Sequence, residues 1–414
     1  MRGSFQRPVA ALVLAGALAA STGAAAEPKK DAFPPIVFYV AKGGADICGA
    51  GCREWIAADG TIDDGAPARL RALLSRLGQR KLPIYFHSPG GSLGGGLGIG
   101  RILRERRMSA GVARTIPRGC DPLQQHEAAC DALKRAGKEL LAELRTARTL
   151  CNSACVYALI GATVREVGAG ARVGVHEIAL GRYDGSGSPV PIDRKTLSAE
   201  QLKQLKAQEA RLAAYVAEMG IDKGLFEAAA QITHERIRYL SLDEIARFGI
   251  DRREFHESPW MLDEGPPGPL TVLKFMVEAK GGDKGGDKAN EPKQYRITRL
   301  RLTCGRPGEV RVEYGREIAS GDWPASIAVT IRNDGFVLAP RKEKPVLGYN
   351  DVTIEDRVAR VPIAFFEEAA AGDAIEIRQA PDMSTADKAP PPRRLSTRGL
   401  PDSIGMLAQR CRRA

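Results

Sequence analysis

The sequence predicts an α/β fold followed by a smaller β-rich C-terminal domain, and three observations carry that expectation. Between Pro34 and Asp251, short apolar runs alternate with leucine-patterned amphipathic stretches, as successive strand–helix units do. The breaker run Glu264-Gly-Pro-Pro-Gly-Pro269 then interrupts the chain. Beyond it, nearly every apolar stretch reads as a strand. At about 100–200 residues per domain, a chain of 414 residues has room for both parts. The expected division is 27–263 and 264–414, after an N-terminal targeting segment.

Residues 34–41 (PPIVFYVA) form the first buried strand. A loop over 43–52, Trp55-Ile56 and a turn at Asp59-Gly60 follow. Leu70, Leu73, Leu74 and Leu77 recur at helical spacing over 66–77, which predicts a helix lying on a sheet. Residues 82–86 are the next strand. The glycine cluster 90–100 fits neither G-x-G-x-x-G nor G-x-x-x-x-G-K, so a nucleotide site is not indicated. It offers a Gly-Gly turn after a strand, then a helix (Leu93, Leu97, Ile102, Leu103) whose glycines permit close packing on the sheet. A strand over 110–116 precedes an insertion, 117–148, with a helix over about 132–144. Cys151-Asn-Ser-Ala-Cys155 opens the apolar helix 156–160, and strand 171–175 ends at His176. A turn-rich loop (181–191) and helices over 197–219, 222–231 and 242–248 complete the first part. The C-terminal strands are expected over 270–277, 295–303, 309–314, 326–331, 351–354 and 374–377. Between the first two lies a low-complexity link (281–288), and a helix over 400–411 ends the chain.

Arg2 and Arg7, the apolar run 9–20 and the small residues Ala24-Ala-Ala26 have the layout of a signal peptide cleaved near Ala26. The run falls short of the roughly 20 apolar residues that span a bilayer. The expectation is a periplasmic or secreted protein. Export suits the eight cysteines, Cys48, Cys52, Cys120, Cys130, Cys151, Cys155, Cys304 and Cys411, which read as four disulfides. Local pairing joins 48 with 52, 120 with 130 and 304 with 411; Cys151 and Cys155 can bridge each other or reach the insertion. The Cys-x3-Cys pairs lack histidines at ligand spacing, so no metal and no cofactor is expected. The net charge of +11 is spread over helices and loops without a nucleic-acid-binding pattern. It predicts a solvated basic surface facing anionic envelope polymers rather than a nucleic-acid partner.

Ser153, at the start of an apolar helix, has a helix dipole and free amides facing whatever it attacks, though its plainer role is an N-cap. His176, at a strand exit, is otherwise an ordinary polar rim residue. With the Ser88-Pro-Gly-Gly-Ser92 turn they supply a hydroxyl, an imidazole and exposed backbone amides, the parts of acyl transfer.

In this order, with Arg238-Tyr-Leu-Ser241 and Gly249-Ile-Asp251, these motifs resemble the Clp protease proteolytic subunit over about residues 35–252. The likeness is to the exported, ATPase-free members of that Clp protease and crotonase-like superfamily. It implies a crotonase-like (Clp protease-like) spiral of βαβ units that assembles as a homo-oligomer. Position by position it implies Ser153 as nucleophile, His176 as general base, and the Gly91 and Ala154 amides as oxyanion hole. The family's third triad member, an aspartate, falls on Ile237; Glu235, Asp243 and Glu177 are the nearby carboxylates. The resulting expectation is an exported, ATP-independent serine peptidase acting on peptide or protein, with no ATPase partner. The alternative is an inactive scaffold or binding protein that keeps the fold. Acyl-CoA chemistry on the crotonase branch needs a cytosolic cofactor, which export argues against.

Overall fold

Apolar runs build the centre of the main sheet, and that centre is buried on both faces. A computed structural model describes residues 33–122, 124–183, 189–263, 269–279, 295–317, 326–331, 334–340, 346–347, 353–372, 374–380 and 392–412. The expected signal peptide (1–26) and the 281–288 link lie outside the described residues. The described residues lie in one contact unit.

The first elements are β1 (Val37–Lys42), β2 (Glu54–Asp59), α1 (Ala66–Leu77), β3 (Ile84–His87), α2 (Leu93–Glu105), β4 (Ser109–Val112) and β5 (Arg114–Pro117). They are followed by α3 (Ala128–Arg135), β6 (Leu140–Arg145), β7 (Leu150–Asn152), α4 (Ala154–Ile160), β8 (Val164–Val167) and β9 (Arg172–Val175). The seven-stranded sheet has the order β5-β6-β1-β2-β3-β4-β8, with β2, β3, β4 and β8 parallel. Ile36, Val40, Ile56, Ile84 and Phe86 pack on one face under the leucines of α1. Val37, Tyr39, Trp55, Ala57 and Tyr85 pack on the other. Burial on both faces is why β1 and β3 read as continuous apolar runs. A three-stranded sheet sets β9 between β7, parallel to it, and the antiparallel pair Arg238–Tyr239.

Several expectations are corrected. Two of the α2 glycines approach α4 rather than the sheet: a Cβ at Gly96 would lie 2.4 Å from the Ala154 carbonyl oxygen, and one at Gly100 2.7 Å from that of Tyr157. The helix of the insertion is Ala128–Arg135, not 132–144, because Gly137 at φ 72° ends it. Leu140–Arg145 then alternates buried and exposed and enters the main sheet beside β1. The 181–191 loop contains a pair of antiparallel strands, Gly181–Tyr183 and Pro189–Pro191. Residues 110–116 are two strands, β4 and β5, rather than one.

The rest of the chain is β-rich. Phe255–Glu257 and Met261–Asp263 both pair with Thr271–Ala279, opening an eleven-stranded sheet whose other strands come from the C-terminal part. Its core includes Trp260, Leu302, Val312, Val329, Ile375, Phe366 and Leu407, the last two from helices Ala364–Ala370 and Leu400–Cys411. All four disulfides form: Cys48–Cys52, Cys120–Cys130 and Cys304–Cys411 as expected, and Cys151 with Cys155. No helix among the described residues is long and apolar enough to cross a membrane.

Candidate active site

Ser153 joins β7 to α4, and its backbone is strained. It lies at φ 52°, ψ −120°, a region that L-residues with a Cβ occupy at a cost of about 1–3 kcal/mol. The disulfide between Cys151 and Cys155 brackets it, and its N–H donates to the Gly174 carbonyl at 2.8 Å. Although Ser153 holds the N-cap position, its side chain caps nothing. Its half-buried hydroxyl makes no hydrogen bond among the described residues. The plain-cap role therefore does not describe this serine.

The glycine turn is stitched to both neighbours. The Ser88 N–H donates to the Leu150 carbonyl (2.9 Å), and the Asn152 N–H donates back to the Ser88 carbonyl (3.0 Å). The Gly90 carbonyl accepts from Ile62 N–H, and the Ile62 carbonyl accepts from Ser92 N–H, both at 2.7 Å. A Cβ at Gly91 (φ 130°) would lie 2.1 Å from the Ile62 oxygen, and one at Gly90 (φ 101°) 2.7 Å from the Ser153 Cβ. Only glycine fits there. The amides of Gly91 and Ala154 have no acceptor among the described residues.

His176 follows β9, the parallel neighbour of β7, in a register that sets Asn152 opposite Gly174. The two backbones are thus brought together, while no hydrogen bond joins Ser153 Oγ to the imidazole among the described residues. The His176 Nδ1 lies 2.6 Å from the Glu177 carbonyl oxygen. A carbonyl only accepts, so Nδ1 carries the proton and Nε2 keeps its lone pair. Burial pushes the imidazole below its ordinary pKa, against the opposing pull of that carbonyl, and the neighbouring His234 lowers it further. The ring is neutral and basic at neutral pH.

None of the three nearby carboxylates, Glu177, Asp243 and Glu235, bonds His176 among the described residues. The Glu177 side chain meets Arg194 at 3.3 Å and His234 Nδ1 at 4.0 Å. Asp243 accepts from the Tyr295 N–H at 2.6 Å. Glu235 is mostly exposed and accepts from Thr233. Ile237 packs beside Asn152 over Gly174, where a Cβ would meet it at 2.6 Å. The orienting group found instead is the Glu177 carbonyl, whose residue is itself fixed by Glu177 N–H donating to Ile232 at 2.7 Å. The half-buried His234 was missed in the sequence, being 58 positions from His176; the pairing of Arg238–Tyr239 with β9 is what draws it in.

Just behind the glycine turn lies a buried polar cluster. The Lys134 ammonium of α3 donates to Asp59 at the end of β2 and to the Gln125 carbonyl (2.8 Å). His126 Nε2 stands 3.6 Å from Asp59, and Phe33 stacks against both His87 and His126. Leu150 N–H donates to His87 Nδ1 at 3.3 Å, so this ring carries its proton on Nε2. Burial pushes His87 down to about 4. Among the described residues no group of three or more His, Cys, Asp or Glu is placed to hold a metal ion.

No family model and no curated protein matches the chain. Among solved structures it is similar to the 1510-N membrane-bound stomatin-specific protease at 15% identity, covering 46% of this chain and 73% of that one, with a TM-score of 0.28. It is also similar to ClpP1 from Listeria monocytogenes at 14% identity, covering 46% and 85%, with a TM-score of 0.29. The likeness is one of general α/β architecture.

Proposed function

We propose that the chain is an exported, ATP-independent serine hydrolase of peptidase type. Ser153 is the nucleophile, His176 the general base, and the Gly91 and Ala154 amides the oxyanion donors. The observation that carries this reading is the strained, uncapped Ser153, whose N–H bonds Gly174 two residues before the carbonyl-held imidazole of His176. Strain at a helix N-terminus is kept only where surroundings enforce it, and a disulfide and two glycines do so here. His176 Nε2 takes the Ser153 proton as Oγ adds to a substrate carbonyl; the free amides then meet the developing oxyanion. Peptide or protein is the proposed substrate and a homo-oligomer the proposed assembly. Four disulfides support the exported setting.

A second reading, an inactive scaffold of the same fold, is favoured by Ile237 at the aspartate position and by the missing Ser153–His176 hydrogen bond. Fluorophosphonate labelling of the oxidised mature protein separates the two. The hydrolase reading expects an adduct at Ser153 that is lost in Ser153→Ala and His176→Ala. No adduct in folded wild-type protein would leave the scaffold.

A further inference from the structure

A cleft of about 850 Å³ opens at the far end of the main sheet from the glycine turn. The Gly90–Gly91 turn follows the C-terminal end of β3, whereas Lys81 and Pro83 of the cleft precede its first residue, Ile84. The disulfide loop Cys48–Cys52 forms one wall.

Five cations and two carboxylates line it: Lys42, Arg53, Lys81, Arg106 and Arg107 against Glu54 and Glu166. Both carboxylates are already engaged. Glu54 meets Arg80 at 2.8 Å and Lys42 at 3.4 Å; Glu166 meets Arg253 at 3.5 Å and accepts from the Tyr85 hydroxyl at 3.5 Å. Arg53, Lys81, Arg106 and Arg107 are exposed, and their side chains make no hydrogen bond or ion pair among the described residues. The C-terminal dipole of α2 accounts for cations at 106 and 107, which directly follow that helix. It does not account for Arg53 or Lys81, which lie in the loops before β2 and β3. Arg107 also sits at φ 51°, where glycine or asparagine is the easier residue. Four uncompensated cations around one concavity focus a positive potential into it.

We propose that this cleft binds a linear, base-free polyanion, tethering the protein while the candidate active site stays open. The cations are exposed and flexible, with no buried donor among them, so binding by counterion release suits them better than capture of one small ligand. A concave wall receives a chain better than a flat bilayer. The one aromatic residue among the lining residues, Tyr85, is buried, so nucleic-acid bases have nothing to stack on.

The test is binding of the mature protein to fluorescent inorganic polyphosphate over a series of salt concentrations. Four contacts at roughly 0.7 each give a log–log salt slope of about −3. Arg106→Gln with Arg107→Asn should cut that slope to about half, asparagine being compatible with the backbone at 107. Arg53→Gln with Lys81→Gln, in the loops before β2 and β3, should do the same and keeps the test valid if the first pair misfolds. Unchanged slopes in both folded double variants would overturn the proposal. Tighter binding to anionic vesicles, or to an oligothymidylate of equal charge, would overturn it in favour of a membrane or nucleic-acid surface.

Discussion

Lys134→Met tests how the insertion is fastened to the end of the sheet that carries the glycine turn. Lys134 is 3% exposed and Asp59 4% exposed, and the ammonium bonds both the carboxylate and the Gln125 carbonyl. Three residues past Asp59, Ile62 holds Gly90 and Ser92. Removing the ammonium leaves a carboxylate in a dry site, which costs about 3–5 kcal/mol when one partner of a buried pair is deleted. The pH dependence has a definite sign. Burial raises the Asp59 pKa, but His126, Lys134 and His87 outweigh it and hold the carboxyl well below its usual range. A depressed carboxyl contributes stability above its unfolded value near ~4 and loses it as pH falls toward the folded value. Without Lys134 the carboxyl is protonated more readily, so the deficit of the variant is largest at pH 7 and shrinks toward pH 4. Urea unfolding of the disulfide-intact protein at both pH values measures this. Asp59→Asn combined with Lys134→Met should recover most of the loss, because no bare charge remains. A cost under about 1 kcal/mol at pH 7, or a deficit that grows in acid, would refute the reasoning.

The pH profile of Ser153 labelling should rise to a plateau with its midpoint below the ordinary imidazole value of about 6.5, since burial lowers the pKa of His176. A midpoint above 7 would remove the neutral, carbonyl-held base. Ser153→Gly should be about 1 kcal/mol more stable than Ser153→Ala in denaturant, because glycine relieves the positive φ while both variants lose labelling. Equal stabilities would mean that the strain is absent in solution. Gly91→Ala puts a methyl 2.1 Å from the Ile62 oxygen and displaces the turn. Labelling should fall by about 10²–10³ if the Gly91 amide is an oxyanion donor, and an unchanged rate would exclude it.

The legible parts of the fold are those where side-chain pattern and local structure agree. The apolar run of β1, the leucine spacing of α1 and three short-range or terminal disulfides were all open to reading. β2 was only half legible because Glu54-Trp-Ile-Ala-Ala-Asp59 is rich in alanine, and its place in the sheet comes from β1 and β3 on either side. β8, Val-Arg-Glu-Val, is too polar to signal a strand, and its pairing with β4 fixes it. Leu140–Arg145 looked helical by composition, and the Gly137 break with β1 pairing overrode that propensity. In the candidate site, Ser153, His176 and the glycine turn stand out as residue types. The backbone angle at Ser153 and the carbonyl that orients His176 have no residue type to announce them.

That carbonyl bears on how Ile237, standing where the resemblance expects an aspartate, is to be weighed. An orienting carboxylate does two things for a catalytic histidine: it fixes the tautomer, and it stabilises the imidazolium that forms when the proton moves. The Glu177 carbonyl can do the first, because it accepts from Nδ1 and its own residue is pinned to Ile232. It does the second less well, carrying a partial rather than a full charge. In triad enzymes, loss of the carboxylate costs about 10⁴ in turnover, largely through the wrong tautomer. A site that keeps the tautomer but lacks the charge should escape most of that penalty. The two functions also separate by assay. A fluorophosphonate is reactive enough to report an oriented, deprotonatable serine, whereas amide hydrolysis also needs a stabilised imidazolium to protonate the leaving amine. The arrangement at His176 therefore predicts ready labelling of Ser153 beside slow peptide turnover, and slow turnover alone does not argue for the scaffold.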